Sequence, residues 1–69
     1  MKRLTTIVEL MGGKLAYDIW NGEHIYTISF KKYTFIAKSQ KDNVAQKNVE
    51  TNLNEVFPIQ YKNAVNQLK

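Results

Sequence analysis

The sequence predicts an α+β fold: a four-stranded antiparallel meander sheet, one main α-helix over about residues 40–56 packed on one face, and a short C-terminal helix or strand. Three observations lead there. Residues 3–37 alternate apolar and polar side chains in short runs. Those runs are broken at Gly12-Gly13, Asn21-Gly22 and Lys31-Lys32, and the first two are two-residue hairpin signals. From Ser39 onward the apolar spacing changes from two to three and four.

Arg3 to Met11 reads as the first strand, with Leu4, Thr6, Val8 and Leu10 on one side and Thr5, Ile7, Glu9 and Met11 on the other. Four β-branched residues in nine positions favour that reading. Lys14 to Trp20 and Glu23 to Phe30 form the second and third strands about Asn21-Gly22, where a type I′ turn needs positive φ at both positions. Tyr33 to Ala37 is the fourth. Two lysines suit a type I′ turn poorly, so Lys31-Lys32 is expected either as a two-residue turn or inside a four-residue loop on a type I turn, with the same register in both. Ser39 offers a helix cap with Asp42 three residues on, and Ala45, Val49, Leu53 and Val56 then form one apolar stripe. Pro58 forces Phe57 out of helical geometry and ends that helix. Over Ile59 to Lys69 the apolar positions fit a helix better than a strand.

The Asn-Gly turn fixes register, because residues flanking a two-residue turn pair directly and paired residues share a face. Leu15, Tyr17, Ile19, Tyr26, Ile28 and Phe30 fall on one face, extended by Leu4, Val8, Leu10, Tyr33, Phe35 and Ala37. This is the face the helix must cover. The opposite face is mostly polar, but Ile7, Asp18 and Ile25 fall in one cross-strand row with Trp20 diagonal to both isoleucines. Exposed tryptophan beside isoleucine is a docking candidate, since tryptophan is enriched at interface hot spots. The competing reading folds Trp20 over the hairpin end or covers it with the C-terminal segment.

At 69 residues the chain is one domain, residues 1–69, and the absence of cysteine excludes disulfides and the common structural zinc sites. No apolar run approaches the roughly 18 residues of a membrane span. The N-terminus lacks the pattern of a signal peptide, so a cytoplasmic location is expected. Ten basic against six acidic side chains give a net charge of +4, and lysine outnumbers arginine nine to one. That balance tolerates polyanions but lacks the bidentate arginines of sequence-specific DNA readers. The lysine, asparagine, isoleucine and tyrosine content matches AT-rich coding DNA, of the kind phages and mobile elements carry.

Catalytic and metal chemistry find little support. His24 is the one histidine, expected at the rim of the covered face opposite Ile19, while Asp18 and Glu23 point to the other face. Without a partner in reach it makes a poor general base, and no second histidine exists for a metal. Gly12-Gly13 leads into a strand, unlike a phosphate loop. The expectation is therefore no enzyme, no cofactor and no metal, but a small binding protein of the phage or mobile-element modulator type. It would dock on a host enzyme or regulator through Trp20, Ile7, Ile25 and Asp18. A homodimer through the same patch, or β-augmentation at an edge strand, is a further possibility for so small a core. The alternative is nucleic-acid binding by a basic edge of Lys14, Lys31, Lys32 and Lys38. It is weakened because Phe30, Tyr33 and Phe35, the aromatics that would stack bases, lie on the covered face.

Overall fold

The computed structural model describes residues 2–68, with side chains from residue 3. The elements run α1 (Lys2–Leu10), β1 (Lys14–Trp20), β2 (Glu23–Phe30), β3 (Tyr33–Ser39), α2 (Asp42–Val56) and α3 (Pro58–Gln67). One antiparallel sheet of order β1-β2-β3 carries the helices on one face. The class is α+β, but the described residues form three strands and three helices in place of four strands, one main helix and a short C-terminal element.

The correction lies in Arg3 to Met11, expected as a strand. Leu4, Ile7 and Val8 are buried and Met11 packs against the same core. Their offsets of three, one and three are those of a single helix face. Alternation would have placed Ile7 outside; instead it is fully buried, while Leu10, which alternation puts inside, is exposed. Thr5, Thr6, Ile7 and Val8 are weak helix formers, so packing outweighs local preference here.

Gly12-Gly13 is accordingly a helix terminus and not a hairpin. The Gly13 N–H donates to the Val8 carbonyl at 2.9 Å and the Gly12 N–H to that of Glu9 at 3.0 Å. Together these are the paired bonds of a Schellman motif, which requires a left-handed residue at the position Gly12 occupies, with φ +88°. Gly13 does not share that positive φ, whereas a type I′ turn would need it at both glycines.

From Lys14 to Phe30 the expected register is the observed one. Trp20 pairs with Glu23, Ile19 with His24, Tyr17 with Tyr26 and Leu15 with Ile28. Asn21 and Gly22 have φ of 52° and 75°, as a type I′ turn demands. Phe30 pairs with Tyr33 across Lys31-Lys32, so that connection is the two-residue form, with neither lysine in the left-handed region.

α2 begins at Asp42, its N-cap being Lys41. Ser39 remains in β3, and its Oγ accepts from the Lys41 N–H at 3.2 Å, so it shapes the turn without capping the helix. Ala45, Val49 and Leu53 are buried as the stripe requires, but Val56 is exposed at the helix end. Phe57 closes α2 and caps α3, with Pro58 in the first turn of the latter. The Phe57 ring lies 5.1 Å from Phe30 and 5.6 Å from Tyr33. α3 takes the helical alternative over most of the stretch from Ile59; Lys69 lies outside the described residues.

α3 packs on α1 and α2 on the helix side, buries Ala64, and leaves the far face of the sheet open. The three helices are also linked by Glu50, which accepts from Arg3 Nη1 at 2.7 Å to each carboxylate oxygen and from the Tyr61 hydroxyl at 2.5 Å. Glu50 raises the Arg3 pKa further, but Arg3 is exposed, so solvent screening holds the pair to at most about 1 kcal/mol.

Candidate functional site

The open face of the sheet is built by the Asn-Gly register. Three rows can be read across it: Trp20 beside Glu23; Asp18, Ile25 and Lys38; and Ala16, Thr27 and Ile36. Each row is one step further from the turn, so Trp20, Ile25 and Ile36 form a straight diagonal from β1 across β2 to β3. Diagonal neighbours on one face stand about 7–8 Å apart, within reach of large side chains. Trp20 is 68% exposed and Ile36 53% exposed, with Ile25 half-buried between them. The result is an apolar ridge, flanked by Asp18 on one side and Lys38 on the other.

This arrangement revises the patch expected from the sequence. Trp20, Ile25 and Asp18 share the open face as expected. Ile7 does not: it sits in α1 on the opposite side of the sheet, in the core. Ile36 takes its place, and the diagonal step of two residues from the Ile25–Lys38 pair would have pointed to it. The C-terminal segment does not cover Trp20, since α3 packs among the helices.

On the helix side, the rim of the sheet carries a polar cluster that joins residues distant in sequence. The Tyr26 hydroxyl donates to Asp42 Oδ1, and Gln46 Nε2 donates to Asp42 Oδ2 at 3.0 Å. His24 Nδ1 lies 2.6 Å from the Tyr17 hydroxyl and 3.8 Å from Asp42 Oδ1. The Tyr17 ring lies over Tyr26 at 4.8 Å and stacks on His24 at 5.9 Å. His24 therefore has a carboxylate within reach after all, from Asp42 in the first turn of α2. No local spacing rule links these positions.

The hydrogen bond from Tyr26 is the largest influence on the Asp42 carboxyl and, helped by that from Gln46, it outweighs burial and holds the group below its ordinary value of 3.8. Burial first, and then the bond to Asp42, pushes the Tyr26 phenol upward, so it stays protonated and donating. The cluster acts chemically as a clasp between β2 and the start of α2. Its stabilising effect is present above pH 3.8, where the unfolded carboxyl is ionised, and declines as pH falls through the lower folded value. Asp42→Ala is expected to cost about 1–2 kcal/mol at pH 7, from the orphaned Tyr26 hydroxyl and the lost helix-terminus charge. Urea denaturation at pH 7 and pH 2.5 checks it, since the gap to wild type should shrink in acid.

Among the lysines of the alternative reading, Lys14 opens β1 beside Ser29 and Thr34, near the Lys31-Lys32 turn. Lys38 lies two rows away, in the row of Asp18 and Ile25. The basic edge is thus three lysines at one end and a fourth set apart. Phe30 and Tyr33 face Phe57, and the Tyr33 hydroxyl bonds to Asn52, so these rings belong to the covered side.

Among the described residues no cluster of three or more potential ligands is placed to hold a metal ion, and no helix is long and apolar enough to cross a membrane. A depression of about 540 Å³ over α2 and α3 is lined by polar α2 side chains and Tyr61. No protein-family model matches the chain, and neither a curated protein nor a solved structure matches it.

Proposed function

We propose that this is a small non-catalytic binding protein that docks on a protein partner through the open face of its sheet. The observation that carries the reading is the Trp20–Ile25–Ile36 ridge, three apolar side chains aligned across the three strands on a face that, among the described residues, no helix covers. An aromatic anchor with aliphatic neighbours and a charged rim of Asp18, Glu23 and Lys38 is the composition of an interface centre. Modulation of a host protein, in the manner of phage or mobile-element products, is the form of this function that the chain's size and lysine- and asparagine-rich composition suit.

Trp20 is the sole tryptophan, so fluorescence reports on the ridge directly. The free protein is expected to emit at the long wavelengths of a hydrated indole and to be quenched readily by acrylamide. Blue-shifted, protected emission would show the ridge to be covered. In affinity capture, Trp20→Ala with Ile36→Ser should lose the bound partner at least tenfold while the circular dichroism spectrum is kept. An unchanged captured set would sink the docking reading.

A further inference from the structure

The ridge lies on a face; β1 also presents an edge. The order β1-β2-β3 leaves β1 paired on one side only, and Ala16 to Trp20 are five consecutive exposed residues, whichever way their side chains point. A two-residue turn closes on a hydrogen-bonded pair, so Trp20, Asp18, Ala16 and Lys14 direct their backbone groups toward β2. Leu15, Tyr17 and Ile19 then direct theirs outward. The Ile19 N–H fits this assignment, because it donates to the side chain of its own neighbour Asp18, at 2.8 Å, and not to β2. The Tyr17 ring leans inward over Tyr26 and His24, away from the edge.

We infer that this edge pairs with the same edge of a second copy of the chain, antiparallel about a two-fold axis at Tyr17, joining two sheets into one of six strands. The seven-residue strand Lys14–Trp20 is self-complementary in this register. Tyr17 meets Tyr17 of the other copy, and Leu15 meets Ile19, so all three outward N–H and C=O pairs of each strand find partners. On the helix side the exposed Ile19, 53% accessible, gains an apolar neighbour in Leu15. On the open side Lys14 stands opposite Trp20 of the other copy and diagonal to its Asp18, bringing opposite charges together twice across the axis. Asp18, released from the Ile19 N–H, becomes free for that contact.

The β3 edge does not offer the same match. Its outward residues are Thr34, Ile36 and Lys38, its nearest flanking charges are Lys31, Lys32 and Lys41, and no acid lies within the strand. Lysines on an edge oppose pairing, and like charges set opposite each other add to that. Charge complementarity therefore selects β1. The two ridges would lie on one continuous open face, giving a bivalent version of the docking surface, although the pairing does not depend on that surface being used.

Sedimentation equilibrium at about 100 µM is expected to give twice the mass of one chain for the wild type and for the ridge variant Ile36→Ser. Ile19→Lys, at an exposed position that leaves folding intact, should give the mass of one chain. Lys14→Asp and Asp18→Lys should each weaken the dimer about tenfold. Mixed together, the two variants should restore it, because each substituted charge then meets its opposite across the axis. Hydrogen exchange should show protection of the Leu15, Tyr17 and Ile19 amides rising with protein concentration, with those of Thr34, Ile36 and Lys38 unaffected. A wild type that stays at one chain's mass up to 1 mM overturns the pairing. So does a dimer that survives Ile19→Lys, or one lost in Ile36→Ser instead, which would place the contact on the open face.

Discussion

Ile7→Ala is expected to remove about 2–5 kcal/mol of stability, the range for truncating a buried isoleucine. A chain of 69 residues has a total stability of roughly 3–10 kcal/mol, so this one change should shift the urea midpoint severely or unfold the protein. The size of the effect follows from where the side chain sits. Ile7 has no accessible surface and packs with Leu4 and Val8 against Tyr26, Ile28 and the α2 stripe of Ala45, Val49 and Leu53. Placed instead on a solvated sheet face, as alternation would have it, the same substitution would move stability by only about 0.5 kcal/mol. Equilibrium urea unfolding followed by far-ultraviolet circular dichroism separates the two. A loss under 1 kcal/mol would contradict α1 as a core helix.

Gly13→Ala is expected to cost about 2–3 kcal/mol, at the upper end of what overpacking a tight contact produces. A Cβ added there would stand 2.6 and 2.8 Å from two Phe30 ring carbons and 2.9 Å from the Ser29 carbonyl oxygen. The ring has little room to give, being held against Phe57 at 5.1 Å, and the carbonyl belongs to the central strand. Gly12 makes the internal control. Nothing lies within 4 Å of a Cβ built there, so Gly12→Ala meets only the backbone penalty of φ +88°, about 1 kcal/mol. Thermal melts should rank wild type above Gly12→Ala and that above Gly13→Ala. The reverse order would mean that the chain does not pass close to β2 as it leaves α1.

These two variants probe the place where reading the sequence and folding the chain part company. Asn21-Gly22 is a strong local instruction, and everything paired outward from it to Lys14 and Phe30 has the register that turn chemistry dictates. Likewise the α2 stripe and the break at Pro58 are legible because spacing and proline geometry act within a few residues. The N-terminal segment carries two periods at once: Leu4, Val8 and Leu10 satisfy alternation, while Leu4, Ile7, Val8 and Met11 satisfy a helix. Gly12-Gly13 serves either as a hairpin turn or as a helix terminus. Only packing decides between them, through the room on the helix side of the sheet. The open-face ridge was readable in part, Trp20 and Ile25 with Asp18 at their flank from register alone. Ile36 needed the diagonal carried one strand further, and Ile7 fell with the strand to which it had been assigned. The Tyr26–Asp42–His24 clasp was not readable, because its members meet through the docking of α2 and not through any local spacing.

The Arg3–Glu50 link has a bearing on how the chain folds. Within the sheet the widest pairings, Lys14 with Ser29 and His24 with Ser39, each span fifteen residues, and α2 follows directly on β3. Local connectivity of that kind favours rapid folding, since little loop entropy must be surrendered before contacts form. Arg3 and Glu50, by contrast, are 47 residues apart. The hairpins and α2 can therefore assemble first as a nucleus, with α1 settling over the core only after the rate-limiting barrier. In stopped-flow measurements the loss in Ile7→Ala would then appear almost wholly as faster unfolding, with refolding close to the wild-type rate.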